Sequence, residues 1–225
     1  MSREGAGRTG AAEPDTPAEE TRPQDTTEQQ ARFYGAPALS DGTVSLRPAT
    51  GEHAAELYAL LKDAETLLLT GSAHSAERAE AVMSGDVEPW GTPEKLEEVY
   101  EAWSVAEDRV VWVIVVDGAV VGELLLMDLD APNLSCGLRL WITGARDRGV
   151  GTAAMTMALD YAFRTAALHR VSLEVFDHNP RARHVYEKLG FRLEGTLREA
   201  LWQDERWIDA HVMGILRREW IGEDA

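Results

Sequence analysis

The chain has 225 residues, with 39 acidic and 22 basic side chains that give a formal net charge of −17. This length allows a single domain with a sizeable core, and no apolar run approaches the roughly 18 residues of a membrane span, so we expect no membrane partner. The negative charge argues against nucleic acid as a partner, and the lone Cys136 suits a reducing compartment, so we expect a cytoplasmic protein.

The negative charge is concentrated in one stretch of the sequence. Residues 52–108 hold 14 acidic and 3 basic residues, whereas residues 139–225 hold 13 of each. One interpretation is a set of solvated helical faces. The alternative is an acidic approach surface for a cationic substrate.

The first residues are rich in Gly, Ala, Pro, Thr, Glu and Gln, and they contain no large apolar residue between Met1 and Arg32. Such a segment buries too little surface to offset the entropy of ordering it. We therefore predict a disordered tail over residues 1–38 and a folded domain over residues 39–222.

The first half of the predicted domain contains a strand, a helical region with loops, a hairpin and a further strand. A short strand at 43–47 precedes a helix from about Glu52, and residues 71–92 read as loop with a helix around 76–83. Thr92 and Pro93 mark the start of a helix that runs to about 105. Asp117-Gly118 suits a two-residue turn between strands 110–116 and 119–127, and a third strand covers 134–142.

The second half alternates helices and strands. A loop at 143–151 leads into a helix at 150–165, and then come a strand at 170–176, a helix at 180–189 and strands at about 191–201 and 206–216. The order of elements predicts a mixed α/β (α+β) fold, with about seven mostly antiparallel strands in a central sheet and helices on both faces.

A glycine-rich loop, Arg146-Asp147-Arg148-Gly149-Val150-Gly151-Thr152, joins a strand to a helix. Glycines let backbone amides approach an anion closely, and the free N–H groups and dipole of a helix N-terminus favour phosphate. The loop also fits a dinucleotide fingerprint with Glu174 as the ribose ligand. That alternative is disfavoured, because the loop follows three antiparallel strands and Glu174 lies inside a strand.

The motif Arg146-x-x-Gly149-x-Gly151 resembles the acetyl-CoA signature of the GNAT superfamily of N-acetyltransferases. The stretches 173–175, 179–182 and 186–191 match the second half of that family's core, and 194–198 with 207–216 resemble its RimJ/RimL-like branch. The resemblance covers about 44–220. It implies a GNAT-like fold, acetyl-CoA as co-substrate and an amine acceptor.

The resemblance also implies site residues. Tyr186 would protonate the leaving thiolate, and Glu174 would serve as base, with Glu123 as a second candidate. Trp141 would contribute its backbone to binding of the pantetheine arm. The alternative for this residue is a purely structural one, with its side chain facing the core. The residues implied for donor binding are Leu140, Trp141, Ile142, Arg146, Arg148, Gly149, Val150, Gly151, Thr152 and Asn179.

Three functions remain open from the sequence. The leading one is acetylation of protein N-termini, and the second is acetylation of a polyamine, an amino acid or an aminoglycoside. The third is an acyl-CoA-binding module without turnover. We expect a monomer or homodimer, no metal site, and no role for Cys136 as a nucleophile, because a strand cysteine is usually buried.

Overall fold

A single sheet of eight strands organises the protein, in the order β1-β2-β3-β4-β5-β6-β8-β7. The computed structural model describes residues 33, 35–88, 91–145 and 148–222. The strands are β1 (Leu39–Ser40), β2 (Val44–Pro48), β3 (Val110–Val116), β4 (Ala119–Asp130), β5 (Ser135–Ile142), β6 (Arg170–Phe176), β7 (Arg192–Gln203) and β8 (Arg206–Leu216).

All neighbouring strands are antiparallel except β5 and β6, which are parallel. The predicted mixed α/β fold with a mostly antiparallel sheet is confirmed. The additional strand relative to the expected seven is β1, whose two residues are too short to produce a readable pattern.

Seven α-helices surround the sheet within the described residues. A 3₁₀ turn at Gly51–His53 precedes α1, and a π-helical turn at Tyr161–Thr165 continues α5. The helices are α1 (Ala54–Leu61), α2 (Ala64–Leu69), α3 (Ala76–Ser84), α4 (Pro93–Ser104), α5 (Val150–Asp160), α6 (Pro180–Lys188) and α7 (Arg217–Ile221).

Helix α2 is absent from the sequence prediction. Its six residues are too few to establish a helical period. Its start is nevertheless encoded locally, because Asp63 caps the helix by accepting a hydrogen bond of 2.8 Å from the Thr66 amide. The equivalent signals at Thr92 and Asn179 correctly predict the starts of α4 and α6.

Two apolar layers cover the two faces of the sheet. On one face, α5 and α6 bury residues such as Met155 and Leu159 against Trp112 and Leu124. On the other face, α1 and α4 pack against alternate residues of the same strands, including Val113. Strands with both faces covered read as continuous apolar runs, as β3 does.

The core extends upstream of the predicted boundary at residue 39. Phe33 is 2% exposed, its ring stacks on Tyr161, and its amide donates to the Glu107 carbonyl. A single aromatic residue among polar ones has no periodicity, so the sequence did not indicate its burial. Residues 1–32 and 34, which make up most of the predicted tail, lie outside the described residues.

Strands β5 and β6 separate soon after they begin to pair. Their parallel register includes only residues 135–137 of β5 and 170–172 of β6. Beyond Gly137, β5 continues beside β4 and β6 continues beside β8. The edge of β5 that faces β6 is therefore open over its last residues. Within the described part of the chain, no helix has the length and apolar character needed to cross a membrane.

Candidate active site

A cavity of about 500 Å³ lies where β5 and β6 diverge. Its walls come from α2, the end of β5, the start of α5, and the segment that leads from β6 into α6. Of the thirteen candidate residues from the sequence, twelve are among the described residues, and nine of these line the cavity: Leu140, Trp141, Ile142, Gly149, Val150, Gly151, Thr152, Asn179 and Tyr186.

The glycine-rich loop forms one wall of the cavity. Gly149 has a φ of 75°, a left-handed conformation that glycine adopts without strain, and α5 begins at the next residue. No described side chain caps the first turn of α5. Apart from Gly149 itself and its two neighbours in the chain, no described protein atom lies within 4 Å of where a Cβ on Gly149 would be. The open backbone and the amides at the N-terminus of α5 suit an anion such as a diphosphate.

Of the two arginines in the loop, the structure describes only Arg148. Arg148 is absent from the cavity lining, and its side chain forms an exposed ion pair of 3.2 Å with Asp117. Because this pair is exposed, it contributes little stability and can be exchanged for another anion. Arg146 lies outside the described residues.

The end of β5 contributes backbone and side chains to the cavity. The Trp141 side chain is buried on the sheet face that carries α1 and α4, and its indole Nε1 donates a 3.2 Å hydrogen bond to Glu123. The same carboxylate accepts a hydrogen bond from the Tyr100 hydroxyl. Burial raises the pKa of Glu123, while these two donors oppose the rise.

Helix α6 places two of the proposed residues in the cavity. Asn179 caps the helix by accepting from the Ala182 amide at 3.1 Å, which leaves its side-chain NH₂ group available to donate. Tyr186 lies two turns further along and is 8% exposed. Burial raises the pKa of its hydroxyl to about 12, so the group stays protonated at neutral pH.

The two candidate carboxylates do not line the cavity. Glu174 is exposed on β6, where it pairs in register with Val212 of β8. Glu123 is buried one strand away from the opening, in the cluster with Tyr100 and Trp141. The structure thus brings eight of the residues proposed for donor binding together with Tyr186, but neither carboxylate joins them.

Sequence reasoning missed the part of the cavity wall that α2 and His178 form. Helix α2 contributes residues such as Thr66 and Thr70, and His178 lines the cavity next to Asn179. The Asp63 cap could have revealed α2, and the position of His178 beside the proposed Asn179 could have directed attention to it.

The chain that follows α2 is held by the β7–β8 hairpin. Gln203 donates to the carbonyls of Leu68 and Ala73 at 3.0 and 2.8 Å. His74 Nδ1 contacts the Trp202 carbonyl at 2.9 Å, and Asp204 bonds through its backbone to His74 and through its carboxylate to Ala76. Gly71 permits a close approach here, because a Cβ on it would lie 2.9 Å from the Phe176 ring.

Two further chemistries find no support among the residues that the structure describes. No cluster of three or more His, Cys, Asp or Glu side chains there could hold a metal ion. Cys136 is buried, and its burial raises the thiol pKa to about 12, which leaves almost no thiolate at neutral pH.

Comparison with known proteins agrees with this geometry. Residues 43–192 match the family model described as an acetyltransferase (GNAT) domain. The Bacillus subtilis protein YdaF, provisionally named a ribosomal N-acetyltransferase, is 33% identical over 48% of this chain and 59% of its own length. Spermidine N(1)-acetyltransferase of Vibrio cholerae is 30% identical over 60% of this chain and 79% of its own.

A solved structure shares the fold. The spermidine N-acetyltransferase of Vibrio cholerae in complex with CoA and spermine superposes with a TM-score of 0.68 at 22% identity. The match covers 80% of this chain and 99% of that one. At this identity the likeness concerns the fold.

Proposed function

The chain belongs to the GNAT acetyltransferase family and is an N-acetyltransferase that uses acetyl-CoA, and from this premise we propose that its acceptor is the primary amine of a cationic molecule. The observation that carries the proposal is the cavity at the β5–β6 divergence. It joins a loop suited to a diphosphate with a wall from α2, which belongs to the acidic stretch 52–108.

The donor would occupy the wall formed by the glycine-rich loop and the end of β5. Acetyl-CoA supplies an acetyl group activated as a thioester. The amides of residues 148–152 would hold its diphosphate, and the open edge of β5 at residues 140–142 would hydrogen-bond to the pantetheine arm, as an added strand would. The free NH₂ group of Asn179 would donate to the same arm.

Tyr186 is the proposed general acid. Tyr186 is buried in the cavity wall, and its hydroxyl is protonated at neutral pH because burial raises its pKa. A proton donor beside the sulfur of the leaving group prevents the release of an unprotonated thiolate into a partly apolar site. Glu174 remains the base candidate from the resemblance, with Glu123 as the second, although both lie outside the cavity lining.

The first candidate acceptor is the α-amine of a protein N-terminus. YdaF, with its ribosomal name, supports this choice. The second candidate is a polyamine, which is favoured by the acidic stretch and by the longer match to spermidine N(1)-acetyltransferase. Both acceptors carry positive charge, so long-range attraction to the acidic stretch would raise their local concentration.

The test is free-thiol release from acetyl-CoA with a panel of amines: peptides that start with Ala or Ser, spermidine, an aminoglycoside and free amino acids. The proposal predicts thiol release that depends on at least one cationic amine. Thermal stabilisation by CoA without thiol release from any amine would instead support a binding module. If the only active amines are uncharged or acidic overall, the cationic acceptor is excluded.

A further inference from the structure

Strand β5 leaves β6 but stays paired with β4 to its end. Its register with β4 continues from Gly137 to Ile142, and the Thr143 amide donates a 2.8 Å hydrogen bond to the carbonyl of Val121. The pairing with β6 stops at Gly137. A free strand edge readily pairs with a strand beside it, so the width of the cleft depends on what holds β5 on the β4 side.

The first such interaction is a close approach of the two backbones at Gly122. This residue is in register with Ile142. A Cβ on Gly122 would overlap the carbonyl oxygen of Trp141 and would lie 2.9 Å from the Cα of Ile142, closer than Cβ atoms come in proteins. Because β5 lies between β4 and β6, any side chain here would push the end of β5 toward β6 and narrow the cleft.

The second interaction is a hydrogen-bond bridge through Glu123, which is only 6% exposed. Glu123 is in register with Trp141, and one of its carboxylate oxygens accepts from the indole Nε1 at 3.2 Å. The other oxygen accepts from the hydroxyl of Tyr100 on α4. A buried donor that loses its acceptor is costly, so the bridge fixes the end of β5 to β4 and α4 together.

The β5 clamp consists of the four residues that make these contacts: Tyr100, Gly122, Glu123 and Trp141. We propose that the clamp holds the open edge of β5 in place for the donor and that Glu123 is a positioning residue in place of a base. This inference rests on the proposed binding of the pantetheine arm along residues 140–142. Glu123 does not line the cavity, so it acts through Trp141. Without the bridge, the end of β5 would close on β6 for part of the time, and the donor would bind only the open fraction.

Two substitutions of Glu123 separate positioning from a role as base. Glu123→Gln can keep the bridge, because its amide oxygen can accept from Trp141 and its NH₂ group can donate to the hydroxyl oxygen of Tyr100. Glu123→Leu has no acceptor for the indole N–H. The matched control is Val111→Ala. Val111 is buried on the same sheet face and does not line the cavity, so this variant loses packing stability but keeps the bridge.

The first measurement is the dissociation constant of CoA, obtained by titration without any amine. If the cleft of Glu123→Leu is open in about a tenth of the molecules, its CoA affinity falls about tenfold, and this is the loss we expect. Glu123→Gln and Val111→Ala should bind CoA within about twofold of the wild type. Wild-type affinity in Glu123→Leu would overturn the proposal, as would an equal loss of affinity in Val111→Ala.

The second measurement separates KM from kcat. Positioning of the donor predicts that Glu123→Leu raises the KM for acetyl-CoA about as much as the dissociation constant and that Glu123→Gln restores it. A base would behave differently, because its replacement by Gln would lower kcat and leave CoA affinity unchanged. That result would overturn the positioning role of Glu123.

Two glycines of the same strand pair test the clamp without a change at Glu123. Gly122→Ala should weaken CoA binding about tenfold, because its Cβ displaces the end of β5 toward β6. Gly137→Ala is the control, since a Cβ there meets only contacts of 3.5 Å or more and β5 still pairs with β6 at this residue. Equal CoA affinity in the two variants would contradict the clamp. Thermal unfolding shows whether each variant folds, and if Gly122→Ala does not, the Glu123 variants decide.

The titration also separates failure of the clamp from failure of the proposed function. Wild-type protein without affinity for CoA would refute the proposed donor site itself. CoA binding that is equally strong in the wild type, Glu123→Leu and Gly122→Ala would refute only the clamp. The amine panel tests the acceptor independently, because no CoA titration includes an amine.

Discussion

The two walls of the cavity are built in different ways. The donor wall is local: residues 148–152 form one loop and helix start, and its proposed contacts are backbone amides. The acceptor wall is the wall that we propose for the amine, formed by Glu65, Thr66, Leu69 and Thr70 of the α2 region. It is held in place over long sequence distances, because Gln203 reaches back 135 residues to Leu68 and 130 residues to Ala73. A backbone site tolerates changes of side chain, whereas the acceptor wall depends on particular distant partners, so the two walls should respond differently to mutation.

The largest expected effect is at Tyr186, where the two walls would act together. Tyr186→Phe keeps the buried ring but removes the proton donor, so we expect kcat to fall about 100-fold. The dissociation constant for CoA should stay within about twofold, because the acid acts on the leaving group and not on the diphosphate. The rate of thiol release at saturating substrates measures kcat, and titration with CoA measures the dissociation constant.

Tyr161→Phe is the matched control for that change. Tyr161 is buried against Phe33 and Trp112 and does not line the cavity. Its variant should keep the wild-type kcat. An unchanged kcat in Tyr186→Phe would remove Tyr186 from the acid role.

The second prediction tests the donor wall through its glycines. Gly149→Ala forces a left-handed φ on alanine, which costs about 1–2 kcal/mol of folding stability. Gly151→Ala meets only ordinary contacts of 3.5 Å or more, so stability should be nearly unchanged. Both variants should bind CoA with about tenfold lower affinity, because each substitution adds a methyl group to the loop proposed to bind the diphosphate. Urea unfolding and CoA titration provide the readouts.

Binding of the amine should not change in these two glycine variants. Its KM, measured at saturating acetyl-CoA, should remain close to the wild-type value for Gly151→Ala. If Gly151→Ala weakens binding of the amine as much as binding of CoA, the division of the cavity into two walls is incorrect.

The third prediction tests the acceptor wall from a distance. Gln203→Ala removes the hydrogen bonds to Leu68 and Ala73 and leaves two carbonyls without this donor, which costs about 1–3 kcal/mol. We expect the KM for the amine to rise about fivefold and the KM for acetyl-CoA to stay constant. Arg206→Ala, an exposed change on the same hairpin, is the control. Equal effects on both substrates would argue against separate walls.

The smallest expected effect concerns the buried carboxylate behind Trp141. Burial raises the pKa of Glu123 in the folded protein. The side chain therefore stabilises the fold below its ordinary pKa of about 4.5, and this stabilisation is lost as the pH rises through the folded-state pKa. The wild type should therefore lose stability relative to Glu123→Gln as the pH rises above about 4.5. Urea unfolding at several pH values tests this, and a difference that stays constant with pH would contradict it.

The sequence predicted the glycine-rich wall of the cavity better than the wall formed by α2, for a physical reason. The hairpin turn at Asp117-Gly118, the caps at Thr92 and Asn179, and the glycine-rich loop are local signals that involve only a few residues. Helix α2 is short, and its position depends on Gln203 and the hairpin, which no local pattern reveals. The burial of Phe33 and the hydrogen bond from Trp141 to Glu123 likewise become visible only once the chain is folded.

The most direct test of the account is the initial-rate pattern with both substrates varied. Two walls of one cavity imply that acetyl-CoA and the amine are bound together and that the acetyl group passes directly between them. This predicts intersecting lines in double-reciprocal plots. Parallel lines, typical of an acetylated enzyme, would require a protein nucleophile such as the buried Cys136 and would contradict direct transfer.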